Sequence, residues 1–549
     1  MLTGSMFMLE VYDRVLPSRS VPTLIGLLIL VVFLFAALGV LDATRGRILA
    51  RVGAALDEAL SGRVYDTLVR LPLRVGNRGD GVQPLRDLDT IRSYLSGLGP
   101  VALFDLPWIP LYLAICFAFH PLIGFTATAG AFVLVVLTLA TELMTKAPAT
   151  AAIEAAMTRN SLAESSRRNA EVLVSMGMMP RIAARWAEAN GRYMLSQQRS
   201  SDIGGGLGAA SKVLRMLLQS VVLAVGAWLV INQQATAGII IASSILSARA
   251  LAPVDLAIAN WKGFVASRQS WQRLSKLLEA MPALPQPMEL PAPAHRLTVE
   301  GISAVAPGTS RVLVQDVGFK LEAGQGLGVI GQSGSGKSSL ARMLVGVWQP
   351  ARGKVRLDGA ALDQWSPDVL GRHIGYLPQD VELLGGTVAD NIARFEPSPD
   401  PEAVIAAAKA VGVHDLIVAL PQGYETPVGD HGSALSAGQA QRVALARAVY
   451  RDPFLVVLDE PNSHLDSDGD AALTRAILGI RERKGIVIVI AHRPSAIAGV
   501  DQILFMNQGR MQACGPKDEV LSKVLQRPQG AAAATPIGIR ADKSGGASA

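Results

Sequence analysis

Eight consecutive residues, Gly331, Gln332, Ser333, Gly334, Ser335, Gly336, Lys337 and Ser338, carry the spacing G-x-x-x-x-G-K-S. Each residue type has a use in holding a phosphate chain. The glycines let backbone N–H groups curl around phosphate oxygens, and a helix beginning at Ser339 adds its N-terminal partial charge. Lys337 has the reach for β- and γ-phosphates, and the Ser338 hydroxyl suits Mg²⁺. Further along, Asp459-Glu460 ends the apolar run Phe454–Leu458. Asp459 is placed to hold Mg²⁺ through water. Glu460, one residue on, can act as general base toward an attacking water. Alone, two acids after a strand are an ordinary strand end; beside a phosphate loop they read as ATP-hydrolysing chemistry. His492, after the run Ile486–Ile490, reads as a sensor of the γ-phosphate only in that company.

Leu435, Ser436, Ala437, Gly438 and Gln439 have no such chemistry of their own. They precede the amphipathic stretch AQRVALARAVY, so Ser436 and Gly438 fall at a helix N-terminus, a second place for an anion. One ATP has one γ-phosphate, already held from one side by the first loop. A second anion site is useful if it covers that phosphate from the opposite side. With one copy of each loop per chain, the arrangement that achieves this is two chains head to tail.

These residues need strands and helices to hold them. The segment Gly326–Ile330 is a strand into the phosphate loop, and Ser339–Val347 begins the following helix. Residues 297–525 alternate short apolar strands with helical stretches, an α/β pattern. Before them lies MPALPQPMELPAPA, Met281 to Ala294, a proline-rich connection that cannot sustain a helix. The domain boundaries expected are 1–270 for a membrane domain, 271–296 for a linker, 297–528 for the nucleotide domain, and 529–549 for a disordered tail without apolar periodicity.

Half of the 549 residues are hydrophobic and 17% are charged, against about 25% in soluble domains. The apolar runs lie in the first half. Thr23–Leu41, Val101–Phe119, Leu122–Leu143, Val213–Ile231 and Thr236–Ala252 each match a membrane-spanning helix. The net charge of +6 sits largely in segments 42–97 and 144–212, whose arginines and lysines put both on the cytoplasmic side. That accounts for the basic balance, and no nucleic-acid-binding pattern accompanies it. Helical apolar spacing (Ile48, Val52, Leu56, Leu60) makes these segments helices extending into the cytoplasm. Asp105, in FDLPW, either caps its span near the headgroups or has a functional role; Pro107 and Pro110 should kink that helix. Two cysteines, Cys116 and Cys514, support neither a disulfide framework nor a metal site.

The motifs together resemble an ATP-binding cassette domain, and nearly the whole chain is similar to a bacterial ABC exporter of the type I secretion permease/ATPase family. The resemblance rests on MLEVYDRVLPSRSVPTL (Met8–Leu24), FDLPW, RALAPVD (Arg249–Asp255) and IGYLPQDVELLGGTVADNIARF (Ile374–Phe395). It implies a bundle of six spanning helices followed by an α/β P-loop cassette, acting as a homodimer with two composite ATP sites. It also assigns roles. Gln379 is the glutamine joining Mg²⁺ to the membrane half, Leu435–Gln439 the signature acting in trans, Ser463, His464, Leu465 and Asp466 the D-loop, and His492 the switch histidine. The implied setting is the inner membrane, with the cassette cytoplasmic. The implied partners are a periplasmic membrane-fusion adaptor, an outer-membrane channel, surrounding membrane lipid and an unfolded secreted protein. Leader-peptide cleavage is not expected. Three departures stand out: Ala437 replaces the commoner glycine, His464 stands where alanine is common, and Ala306 replaces the aromatic that stacks on adenine, which implies modest nucleotide affinity.

Other readings remain open at this level: an ABC exporter of lipid, drug or peptide, and a nucleotide-gated membrane scaffold or channel without turnover, against which Glu460 argues. Only five complete spans are visible where the resemblance implies six. Tyr12–Ser20 reads as an outer loop, which leaves Met1–Leu9 as half a span and predicts a translation start upstream.

Overall fold

The computed structural model describes residues 2–76, 81–282, 290–309, 311–429, 432–463, 465–491 and 493–526. His464, His492, residues 283–289 of the proline-rich connection and the tail 529–549 lie outside the described residues. The chain divides into two compact units between residues 283 and 284.

The first unit is helical: α1 (Thr3–Glu10), α2 (Leu16–Ser18), α3 (Val21–Val75), α4 (Gln83–Leu95), α5 (Gly99–Asp105), α6 (Ile109–Phe119), α7 (Pro121–Arg168), α8 (Ala170–Ser175), α9 (Met179–Ile231) and α10 (Ala237–Ala280). Among the described residues, five helical stretches are long and apolar enough to cross a membrane: α3, Gly99–Phe119, α7, α9 and α10. Each contains one expected span or most of it. At ~1.5 Å per residue, the 55 residues of α3 cover roughly 82 Å, more than twice a ~30 Å core. Its first turns leave Ile25, Leu28, Ile29 and Phe33 exposed, as lipid contact requires. α6, α7, α9 and α10 share a core that includes Cys116, Ile123, Leu134, Val222 and Leu246.

Three details differ from expectation or sharpen it. Tyr12–Ser20 is not a loop. The helix begun by α1 continues through a π-helical turn, Val11–Val15, into α2, and the chain reverses only at Arg19, in the left-handed region, and Ser20. An acid within this segment has a helical partner: Asp13 accepts from Thr236 Oγ1 at 2.6 Å and from Gly238 N–H at 2.8 Å, capping α10. α10 itself continues past residue 270 to Ala280, because Leu274 and Leu278 are buried against Val64, Leu88 and Ile91. Finally, Pro107 and Pro110 do interrupt their helix, which becomes a 3₁₀ turn over Leu106–Trp108. Asp105 before that turn is ion-paired with Arg45 of α3 at 3.2 Å, which ties two helices together.

The second unit holds one ten-stranded sheet: β1 (Arg296–Val305), β2 (Val312–Glu322), β3 (Gly326–Gly331), β4 (Arg352–Leu357), β5 (Ala360–Ala361), β6 (Ile374–Leu377), β7 (Leu455–Asp459), β8 (Ile486–Ile490), β9 (Gln502–Asn507) and β10 (Arg510–Pro516). The strand order is β5-β4-β1-β2-β10-β9-β3-β8-β7-β6. The β9-β3-β8-β7-β6 part is parallel, and β1, β2, β4 and β5 form an antiparallel edge. β7 and β8 are buried on both faces, as their unbroken apolar sequences require. Val456, Leu458, Val487 and Val489 enter one core, and Leu455, Val457, Ile486 and Ile488 the other. Helices α11 (Lys337–Leu344), α12 (Pro367–His373), α13 (Val388–Ile392), α14 (Pro401–Ala410), α15 (His414–Val418), α16 (Ala437–Val449), α17 (Ser467–Glu482) and α18 (Lys517–Gln526) complete the unit.

Candidate nucleotide site

In an open parallel sheet, ligands bind beyond the carboxyl ends of the strands. The chemistry-bearing residues gather there. β3 ends at Gly331 and α11 begins at Lys337, so the loop between them is the expected strand–loop–helix turn. Gly336 caps α11 at φ 94°, and a Cβ there would press on the Leu313 carbonyl oxygen at 2.7 Å. Gln332, Ser333 and Gly334 form the exposed rim, while Ser335, Lys337 and Ser339 are buried beneath it. Lys337 Nζ donates to the carbonyls of Gly331 (3.0 Å) and Gln332 (2.9 Å), holding the loop curled. Burial pulls the Lys337 ammonium below its ordinary range, opposed by the charges of Glu460 and Asp459.

Three oxygen donors converge on the loop from different strands. Ser338 Oγ lies 3.5 Å from Gln379 Oε1, which follows β6. The Ser338 hydroxyl also faces Asp459 at the end of β7, where it favours the ionised carboxylate. Asp459 is 2% exposed, and its Oδ1 is buried without a hydrogen-bond partner among the described residues. Burial raises its carboxyl above the usual range, with Glu460 adding to the rise. A buried, unsatisfied carboxylate oxygen beside a hydroxyl and an amide oxygen is a hard-oxygen donor set that fits Mg²⁺. Glu460 turns the chain away from β7 at φ 50°, its N–H donating to Ile490 O at 2.9 Å. A non-glycine residue in the left-handed region is uncommon and, here, re-aims the side chain at the end of the strand.

Ser436 caps α16. Its Oγ accepts from Gln439 N–H (3.3 Å), and Gln439 Oε1 accepts from Ser436 N–H (2.9 Å), a reciprocal box. Ser436 and Ala437 are exposed, Gly438 is half-buried, and Leu435 packs on the core. In this chain α16 packs on β6, α13 and α14, whereas α11 packs on β3, β7 and β8. After β7, Ser463 N–H donates back to Glu460 O, and Asp466 caps α17 by accepting from Gly469 N–H at 2.8 Å. Leu465 is half-buried against the core.

Three residues that the motif reading passed over tie this machinery together. Gln441 of α16 is 3% exposed, and its Nε2 donates to Glu460 O (3.2 Å), Pro461 O (2.7 Å) and Ser463 Oγ (3.2 Å). Arg442, the next residue, donates to Asp466 Oδ1 at 2.6 Å. Arg394 spreads its guanidinium over the carbonyls of Gly371, Ile374, Arg447 and Ala448, joining the end of α16 to the start of β6. The capping box S-x-x-Q was readable in the sequence; the other links join distant segments and leave no local pattern.

Comparison with known proteins agrees with this architecture. The family model for the ABC transporter transmembrane region matches residues 1–254, and that for the ABC transporter itself matches residues 314–463. The type I secretion system ATP-binding protein PrsD of Rhizobium meliloti is 60% identical over 528 residues, 96% of this chain and 90% of that protein. The cyclolysin secretion/processing ATP-binding protein CyaB of Bordetella pertussis is 28% identical over 95% of this chain and 74% of its own length. The solved structure of a bacterial Atm1-family ABC exporter with ATP bound superposes with a TM-score of 0.80 at 24% identity, covering 95% of this chain and 94% of that one, which shows the shared fold. The chain belongs to the ABC transporters of the type I secretion kind, membrane proteins that carry a transmembrane region and an ATP-binding, ATP-hydrolysing domain in one polypeptide.

Proposed function

We propose that this protein drives export of a protein substrate across the bacterial inner membrane, with the cassette on the cytoplasmic side. The observation that carries the reading is the convergence of Lys337, Ser338, Gln379, Asp459 and Glu460 at the carboxyl ends of β3, β6 and β7, together with the 60% identity to PrsD. The relatives' names supply the cargo class: secretion and toxin translocation.

In this reading, backbone N–H groups from Gly331 to Gly336 and the start of α11 hold the phosphates, Lys337 leaves its loop carbonyls for the β- and γ-phosphates, and Ser339 anchors the helix beneath. Ser338, Gln379 and Asp459 hold Mg²⁺, which supplies charge compensation on the phosphate oxygens when bound. Glu460 accepts a proton from the attacking water as the new P–O bond forms and the β–γ bridging bond breaks. His492 contributes a hydrogen bond to the γ-phosphate. Two chains act as a homodimer, and Leu435–Gln439 of each closes the other's ATP, with Ser463–Asp466 at the junction. A periplasmic adaptor and an outer-membrane channel complete the route for an unfolded substrate.

The test is Glu460→Gln. The amide keeps the shape and loses the base, and general-base effects run to ~10²–10⁴-fold. ATP binding is expected to persist while turnover falls by at least ~100-fold and a nucleotide-trapped closed dimer accumulates. Steady-state hydrolysis near the wild-type rate would overturn the assignment of Glu460.

A further inference from the structure

In the first unit, α4 and α10 are joined by a buried ion pair that the nucleotide chemistry does not use. Asp87 of α4 is 3% exposed, and Ser270 of α10 is 2% exposed. Asp87 Oδ1 accepts from Gln83 Nε2 (2.9 Å), Ser270 Oγ (2.9 Å) and Arg273 Nη2 (2.6 Å), and Asp87 Oδ2 accepts from Arg273 Nε (3.1 Å). An ionised carboxylate has about four lone-pair sites, so these donors fill it and leave no place for a ligand. Two lesser ties run beside the pair. Arg63 of α3 donates to Leu278 O at 2.9 Å, among the last carbonyls of α10, which have no partner within the helix. Arg92 of α4 is paired with Asp57 of α3 at 3.5 Å.

Adhesion between these helices has another source. Leu88 and Ile91 of α4, Leu274 and Leu278 of α10 and Val64 of α3 form an apolar cluster. Apolar burial is non-directional, so that cluster alone would let α10 slide or turn against α4. A buried ion pair is seldom more stabilising than well-packed apolar residues of similar volume. A two-pronged guanidinium–carboxylate pair is, however, directional, and it admits one register of α10 on α4. The position of that register bears on transport. Counted from Ala237, Arg273 lies about 54 Å along α10 at ~1.5 Å per residue, beyond a ~30 Å hydrocarbon core. It is about two turns before α10 ends at Ala280, after which the chain leads to β1 of the cassette. α4 leads the other way, through residues 96–98 into the membrane-crossing stretch Gly99–Phe119.

We propose that Asp87 and Arg273 are positioning residues for transport. They hold α4 and α10 in one register, so that displacement of the cassette, reaching α10 through the chain, is passed to the Gly99–Phe119 span and is not lost in sliding between the two helices. The inference rests on the protein-export reading and adds the contact through which nucleotide-driven movement reaches that span.

The deciding variant is Asp87→Leu/Arg273→Met, which fills the same space with apolar side chains; the Ser270 hydroxyl can then turn to a carbonyl of its own helix. Full-length protein is used throughout, in phosphatidylcholine nanodiscs for melting and ATP hydrolysis and in a deletion strain for secretion. Secretion is read as the extracellular proteins that deletion removes and the wild-type gene restores. The double variant is expected to keep the wild-type thermal midpoint, and kcat and KM for ATP within about threefold, while secretion falls by about tenfold or more. Arg273→Lys keeps the charge without the fork and should retain at least about a third of wild-type secretion, whereas Arg273→Gln should retain less than about a tenth. Spin labels on Ser93→Cys and Lys276→Cys, both exposed positions, in a Cys514→Ser background report the register. The wild type should give one distance, unchanged by a non-hydrolysable ATP analogue, and the double variant a broadened distribution. Normal secretion by the double variant, or a nucleotide-dependent shift of the wild-type distance, overturns the proposal. So do parallel losses of hydrolysis and secretion, which would make the pair merely structural. If the double variant does not fold, equal secretion by Arg273→Lys and Arg273→Gln overturns it instead. A wild-type gene that restores no secreted protein would remove the export reading, and the spin-label distances would still test whether the two helices keep one register.

Discussion

At the residue scale, the site holds chemistry at a cost to stability. Asp459 is buried with an unpaired oxygen, and burial raises its carboxyl. The folded chain therefore binds that proton more tightly than the unfolded chain does. Asp459 favours folding when protonated at low pH, and it costs stability as pH rises past the usual carboxylate range and the folded group ionises. Asp459→Asn removes the charge while keeping the shape. We expect it to raise the thermal midpoint of the nucleotide-free protein at pH 7 by about 2–4 °C, for a gain on the order of 1 kcal/mol. The gain should shrink as pH falls, and ATP hydrolysis should be lost. A midpoint that drops at pH 7, or a gain that grows on acidification, would contradict this account. Gln441 makes the opposite case. Its three acceptors include the backbone of Glu460, so Gln441→Ala should leave ATP affinity within about threefold while lowering kcat by at least tenfold, since a tenfold loss corresponds to only ~1.4 kcal/mol. Equal losses in binding and turnover would make it a merely structural residue. The sequence disclosed Asp459 because carboxylate, strand and loop are consecutive. It concealed Gln441, whose partners are brought together only by the sheet.

Elements were legible where periodicity was strong. The five apolar runs became helices, and the strands into Gly331, Asp459 and Ile490 lie where their sequences put them. What local reading missed were polar residues satisfied by a distant element. Tyr12–Ser20 reads as a loop, yet the carboxylate of Asp13 within it is the cap of α10, more than two hundred residues away along the chain. Likewise Leu274 and Leu278 carry α10 beyond residue 270 because α3 and α4 offer them an apolar surface. The cap is testable. Asp13→Ala removes two hydrogen bonds from the N-terminus of α10, where Thr236 still caps Ile239, so the loss should be partial, about 1–2 kcal/mol. Asp13→Asn, which still offers one carbonyl oxygen, should recover part of it. Thermal melts of the detergent-solubilised protein check both. In the cassette, Gly375 of β6 lies against the Ala448 carbonyl with no space for a Cβ, so Gly375→Ala should separate β6 from α16 and lower the melting temperature more than Asp13→Ala does.

At the scale of the whole molecule, the question raised by Leu435–Gln439 is where their helix start acts. In one chain Ser436 caps α16 and is exposed, while α16 and α11 pack on different strands. An exposed helix N-terminus that serves no phosphate in its own chain is expected to serve one in another. Complementation separates the two possibilities. Ser436→Arg puts a bulky cation where the γ-phosphate should be covered, and Lys337→Ala removes the ammonium proposed to bind the phosphates. Each variant alone should hydrolyse no ATP, whether the sites are formed in cis or in trans. In a mixed dimer the outcomes diverge. If Lys337 of one chain faces Ser436 of the other, both lesions fall in a single site. The second site then combines an intact phosphate loop from the Ser436→Arg chain with an intact signature from the Lys337→Ala chain. Nucleotide trapping at one site per dimer should return in the mixed species, isolated with two different affinity tags. If the sites are formed in cis, every site in the mixed dimer carries one lesion and trapping stays absent. Single-site trapping in the doubly tagged fraction would assign the second small-residue turn to the partner's ATP; its absence there would return it to its own chain.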